Sequence, residues 1–130
     1  MSRGKVRDVY RTDGALILVA TDRISAFDCR LAPGVAGRGV IPTQLASFWF
    51  ERFASVVPNH LLATRLGDFP APYKNHPELD GRSILVQDLE PIPVECVARG
   101  YITGSGMKEY TASGRVCGIE LPTGLVEADQ

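Results

Sequence analysis

The spacing of apolar residues changes repeatedly along the chain, and each change marks an element. Val6 and Tyr10 fall on one parity and Val9 on the other within Arg3 to Thr12, while Ala15 to Ala20 is continuously apolar. Asp13-Gly14 separates the two runs and suits the positive φ of a tight turn, so a β-hairpin is predicted. Leu16, Ile17, Leu18 and Val19 are consecutive, which places the second strand inside a sheet, covered on both faces. It delivers a polar loop, Asp22 to Asp28, of the kind that presents side chains at a cleft. A second loop, Ala32 to Pro42, sets Pro33, Gly34, Gly37, Gly39 and Pro42 around one charge, Arg38. The period then becomes 3.6: Leu45, Phe48, Trp49, Phe53 and Val56 predict a helix that Thr43 caps, Pro58 ends and whose aromatic face is buried.

Asn59 to Gly81 keeps no period and contains Pro70, Pro72 and Pro77, an irregular surface connection with a short strand near Leu61. Ser83 to Val86 resumes a strand, and Gln87-Asp88-Leu89-Glu90 breaks it. Pro91 and Pro93 exclude a helix before Val94, so Val94 to Ala98 is expected as a strand with Cys96 turned inward. A helix opens near Ser105 and ends by Gly114, and Arg115 to Leu121 reads as a further strand.

Composition narrows the function classes. A chain of 130 residues with 45% hydrophobic and 22% charged residues suits an ordinary globular protein able to build a core. No apolar run approaches the roughly 20 residues of a membrane span, and Met1-Ser2-Arg3-Gly4-Lys5 leads into charged sequence, so a cytoplasmic protein with no membrane role is expected. A net charge of −1 with dispersed Lys and Arg gives no footprint for nucleic acid. Cys29, Cys96 and Cys117 lack C-x-x-C spacing, and His60 and His76 lack metal-ligand spacing.

Arg99 stands at the end of the expected strand, just before Gly104, Ser105 and Gly106 at a helix start. Unpaired amides and the helix dipole favour an anion there, and a guanidinium adds two charge-assisted hydrogen bonds. The plain alternatives are a surface ion pair for Arg99 and an N-cap role for Ser105. Glu95 shares the expected strand face but lies ~13 Å away at ~3.3 Å per residue, so it does not neutralise Arg99. Gly4, Lys5 and Arg7 form a second candidate: glycine allows close backbone approach, and Lys5 and Arg7 share one strand face. A bare Gly-Lys-x-Arg is ordinarily a solvated basic edge.

The wider blocks change that reading. Pro93-Val94-Glu95-x-Val97-x-Arg99-Gly100-Tyr101-x-Thr103-Gly104-Ser105 resembles a signature of the SAICAR synthetase (phosphoribosylaminoimidazole-succinocarboxamide synthase) family. Gly4-Lys5-Val6-Arg7-Asp8-Val9-Tyr10 is similar to its N-terminal phosphate-binding segment, and Thr21-Asp22-Arg23-Ile24-Ser25-Ala26-Phe27-Asp28 to its next block. Leu121-Pro122-x-Gly124-Leu125 also looks familial. The resemblance implies an α+β fold with an antiparallel-sheet nucleotide-binding lobe in the style of kinase and ATP-grasp lobes over residues 1–90. Residues 91–130 would be a hinge and the start of a second, substrate-binding domain.

It further implies an ATP-driven ligase in which phosphoryl transfer to a ribonucleotide carboxylate gives an acyl phosphate that the amine of L-aspartate then displaces. The small-molecule partners would be ATP, L-aspartate and carboxyaminoimidazole ribonucleotide, and catalysis would be chiefly positioning and charge stabilisation. Gly4, Lys5, Arg7, Gln87 and Leu89 are the ATP-binding candidates; Ser25, Asp28, Arg99 and Ser105 are the substrate-binding candidates. Asp22, Ser25 and Asp28 are expected to orient substrate rather than act as acid or base, since loop aspartates commonly form turns. No catalytic residue is assigned. Magnesium is implied, but the family's metal-binding Asp-x-Lys-x-Glu-x-Gly strand has no match, so its ligands are expected beyond Gln130. The chain is therefore expected to be an N-terminal fragment, inactive alone and with an exposed apolar interface. The alternative is a non-catalytic module that binds nucleotide or a partner segment completing its sheet.

Overall fold

The computed structural model describes residues 1–26, 29–94 and 96–130. They divide into two compact units, Met1–Pro91 and Ile92–Gln130.

In the first unit Ser2–Arg3 (β1), Arg7–Arg11 (β2), Ala15–Ala20 (β3), Leu61–Ala63 (β6) and Ser83–Gln87 (β7) form an antiparallel sheet in the order β1-β2-β3-β7-β6. The Asp13-Gly14 turn forms with Gly14 at φ 71°, and the Thr12 amide and hydroxyl both donate to the Ala15 carbonyl, at 2.8 and 3.1 Å. β3 is the inner strand, as its unbroken apolar run requires: Ile17 is fully buried, Val19 nearly so, and Leu16 and Leu18 half-buried. Ile17, Val19 and Phe69 make the core, with Tyr10, Leu66, Tyr73 and Leu85 packed around it. The segment 59–81, expected as surface connection, thus supplies a buried ring, Phe69, from a run of short 3-10 turns. Ile24–Ala26 (β4) and Cys29–Leu31 (β5) pair antiparallel, so part of the expected 22–28 loop is a strand whose backbone bonds Cys29–Leu31 satisfy.

The helix α1 (Val40–Arg52) begins earlier than expected, because Pro42 sits in the first turn, where a missing amide costs nothing. Thr43 does not cap it. Its hydroxyl donates to the Gly39 carbonyl at 2.8 Å and lies 3.3 Å from the Arg82 carbonyl, and the Ser47 hydroxyl donates to the Thr43 carbonyl. The chain leaves the helix at Phe53, before Pro58. The expected buried aromatic face is overturned. Thr43 and Ser47 are the buried positions, while Leu45, Phe48, Trp49, Phe53 and Val56 are exposed, Trp49 by 46%. A 3.6 period shows which residues share a face, not which face meets the sheet. Here the short side chains let α1 approach β7, and the rings stack on one another, Trp49 on Phe53 at 5.2 Å. The expectation that Trp49 and the phenylalanines are core holds for Phe69 alone among the fully buried described residues.

In the second unit α2 (Gly104–Ser113) follows Thr103, which is extended, and ends on Gly114 in the left-handed conformation at φ 71°. Arg115–Val116 (β8) and Ile119–Glu120 (β9) form a small hairpin where one strand was expected, turned by Cys117 and Gly118 at positive φ. The expected strand at 94–98 is not formed by its described residues. None of them pairs with a strand among the described residues, and Val94 and Cys96 are exposed rather than inward. Extended propensity without a hydrogen-bonding neighbour does not make a strand. Among the described residues no helix is long and apolar enough to cross a membrane.

Candidate functional site

Gly4 to Arg7 is the turn between β1 and β2, closed by the Gly4 amide donating to the Arg7 carbonyl at 2.7 Å. A Cβ on Gly4 would come within 3.0 Å of that oxygen, so the tight turn favours glycine. Lys5 therefore lies in the turn and only Arg7 in β2, which corrects the expectation of a shared strand face.

Arg23 braces the turn from below. Its guanidinium donates to both oxygens of Asp8, at 2.6 and 3.3 Å, and to the Lys5 and Gly4 carbonyls at 3.2 Å each. Asp8 holds the Arg23 guanidinium above its ordinary pKa, opposed by partial burial, so it stays charged. Arg30 adds a bond to the Gly4 carbonyl at 3.1 Å, and the Thr21 amide and hydroxyl both donate to Val6. Thr21 and Arg23 were not singled out from the sequence; their only signal was membership of the same block as Asp22.

Asp22 is committed to structure. One oxygen accepts from the Gly39 amide at 2.9 Å and the other from Arg82 at 3.3 Å, while its carbonyl accepts from Val35. The Gly39 amide first, then Arg82, hold its carboxyl below the ordinary 3.8. This fastens the 33–39 loop beside the Gly4–Arg7 turn. Between them opens a cavity of about 270 Å³ lined by Gly4, Lys5, Arg7, Arg38 and Thr43 among others, with no carboxylate among the described residues of its wall.

Gln87 and Leu89 line a different cavity, about 770 Å³, walled by Trp49, Phe50, Phe53 and His60. The Gln87 amide donates to the His60 carbonyl, and Asp88 pairs with Arg11. Ser25 is half-buried in β4 opposite Arg30 and lines neither cavity. Asp28 lies outside the described residues.

In the second unit Arg99 and Ser105 line one cavity of about 540 Å³, together with Tyr101, Thr103, Gly106 and Glu109. The guanidinium donates to the Thr103 carbonyl at 3.4 Å. Ser105 is the second helical residue, so it is not the N-cap. The first amide of α2, on Gly104, points at the Glu127 carboxylate, 3.4 Å away. Tyr110 fixes the far wall by donating to the Pro122 carbonyl at 2.7 Å and accepting from the Leu125 amide at 3.1 Å. Among the described residues no group of three or more His, Cys, Asp or Glu is placed to hold a metal ion.

An antiparallel sheet with helices, carrying a cavity lined by Lys5, Arg7 and Arg38 in one unit and an arginine-bearing cavity in the other, defines an α+β protein. Comparison with known proteins narrows this. The family model for SAICAR synthetase matches residues 1–130, and the chain belongs to that family. The chain is 49% identical to phosphoribosylaminoimidazole-succinocarboxamide synthase of Geobacter metallireducens and 50% identical to that of Desulforapulum autotrophicum, covering 100% and 98% of this chain. It spans only 44% of the length of either relative. The solved SAICAR synthase of Saccharomyces cerevisiae complexed with SAICAR superposes with a TM-score of 0.88 at 41% identity, over 99% of this chain and 46% of that one.

Proposed function

We propose that this chain is the N-terminal, nucleotide-handling part of an ATP-dependent carbon–nitrogen ligase of purine biosynthesis. The ligase joins L-aspartate to 5-amino-1-(5-phosphoribosyl)imidazole-4-carboxylate and releases SAICAR, ADP and phosphate. The observation that carries this reading is the match of all 130 residues to one ligase family. On this reading the protein is cytoplasmic, residues 1–90 form the ATP lobe, and 91–130 begin the ribonucleotide site.

The first cavity fits a polyphosphate. Gly4 keeps the backbone close, Lys5 and Arg7 supply charge, and Arg23 is spent on holding the turn rather than on a ligand. Bound there, ATP supplies the phosphoryl group that activates the ribonucleotide carboxylate toward the aspartate amine. The protein's share is to hold the phosphates beside Lys5 and Arg7, whose charge stabilises the charge that develops on the transferring group. Gln87 and Leu89 border apolar, aromatic walls, which suit a base rather than a phosphate. In the second unit Arg99 takes the phosphate or carboxylate of the ribonucleotide in a forked contact, with Ser105 beside it. Ser25 and Asp28 are proposed to orient substrate from the second block. Magnesium has no fitting donor set among the described residues.

The test uses the protein at the length of its relatives. Arg99→Ala should raise the KM for the ribonucleotide while ATP affinity holds, and Lys5→Ala should weaken ATP. Equal loss of both ligands on Arg99→Ala, or unchanged ATP affinity on Lys5→Ala, would overturn these assignments.

A further inference from the structure

We propose that Arg38 is a third cation of the phosphate cavity and contacts the polyphosphate of the bound nucleotide directly, an inference that rests on the ATP reading above. Four arginines around the turn are already engaged: Arg3 lies 3.9 Å from Asp8, Arg23 is bidentate on it, Arg30 is on the Gly4 carbonyl and Arg82 on Asp22. Arg38 lines the same cavity as Gly4, Lys5 and Arg7, and among the described residues it has no carboxylate partner. Its side chain makes one long hydrogen bond, 3.5 Å from Nη1 to the Thr21 carbonyl, which is cheap to surrender to a ligand.

The start of α1 does not offer free amides in its place. Gly39 donates to Asp22, Val40 and Ile41 both donate to the Gly37 carbonyl, and Pro42 has no amide hydrogen. Attraction for an anion at this wall therefore falls to the guanidinium. Its origin is fixed. Gly37 turns at φ 80°, a Cβ on Gly34 would lie 2.6 Å from the Asp22 carbonyl oxygen, and one on Gly39 would collide with that of Ala20. The loop can take few other paths, so the planar fork of Arg38 emerges opposite the Gly4–Arg7 turn, suited to two oxygens of one phosphoryl group.

The experiment measures Kd for ATP, ADP, adenosine and inorganic tripolyphosphate with the full-length protein carrying this sequence, for wild type, Arg38→Ala and Arg38→Lys. Loss of a charge-assisted contact should weaken ATP and tripolyphosphate by about 10- to 100-fold in Arg38→Ala. Adenosine affinity and the unfolding temperature should stay unchanged, and Arg38→Lys should recover part of the loss. Unchanged ATP affinity, or a parallel loss for adenosine, would overturn the assignment. A wild-type protein that binds neither ATP nor ADP would overturn the ATP reading and this inference with it. Wild-type ATP binding that survives Arg38→Ala overturns the inference alone.

Discussion

Arg23→Ala removes the brace under the Gly4–Arg7 turn, and its cost follows from what is left behind. Asp8 is only 6% exposed, and without Arg23 its nearest cation is Arg3 at 3.9 Å. The Gly4 and Lys5 carbonyls lose a donor each. Breaking a fully buried ion pair from one side costs ~3–5 kcal/mol. The Arg23 side chain is 27% exposed, so water can reach part of the vacated site, and ~2–3 kcal/mol is the expected loss. For a unit of this size that lowers the unfolding midpoint by roughly 10–20 °C. Urea titration followed by far-ultraviolet circular dichroism reads the change directly. Asp8→Asn should cost less, and the double variant should show a coupling of ~1–2 kcal/mol. Arg23→Lys should not restore stability, because a point charge cannot span Asp8 and two carbonyls. A loss below ~0.5 kcal/mol, or additive single effects, would refute the bracing role.

Three further outcomes test other parts of the fold. Gly39→Ala should destabilise by ~1–3 kcal/mol, since its Cβ meets the Ala20 carbonyl oxygen, whereas Gly67→Ala, with open space around it, should be close to neutral by the same melts. Asp22 has a depressed folded pKa, so its stabilisation is present above the ordinary 3.8 and lost as pH falls through the lower folded value. Asp22→Asn should accordingly flatten the stability profile below about pH 4, and an unchanged acid slope would contradict the Gly39 and Arg82 contacts. Trp49, the one tryptophan, should be readily quenched by acrylamide in this chain; a shielded emission would mean that the aromatic face of α1 points inward.

The sheet was legible because its signals were local. Asp13-Gly14 fixed the hairpin, and the unbroken Ala15–Ala20 run announced an inner strand. The failures have a common cause: the sequence pattern does not name the partner of a face. The aromatic stripe of α1 had the right period and the opposite orientation, since the buried positions are the short Thr43 and Ser47, whose hydroxyls are satisfied by carbonyls one turn back along the chain. Residues 94–98 had the composition of a strand, and their described members pair with no strand among the described residues. At the site, Gly4, Lys5 and Arg7 stood out as glycine beside cations, and they do share a cavity. Arg38 was visible only as the single charge in a Gly- and Pro-rich loop. That the Asp22 carboxylate fastens this loop at the Gly39 amide is a long-range contact that no local pattern contains.

The most direct test of the central claim replaces the matching 44% of the Geobacter metallireducens relative with this chain and assays the purified chimera. ADP should form only when ATP, L-aspartate and the carboxylated ribonucleotide are all present, with SAICAR produced in equal amount. A folded chimera that makes no SAICAR, or that releases ADP regardless of aspartate, would contradict the account.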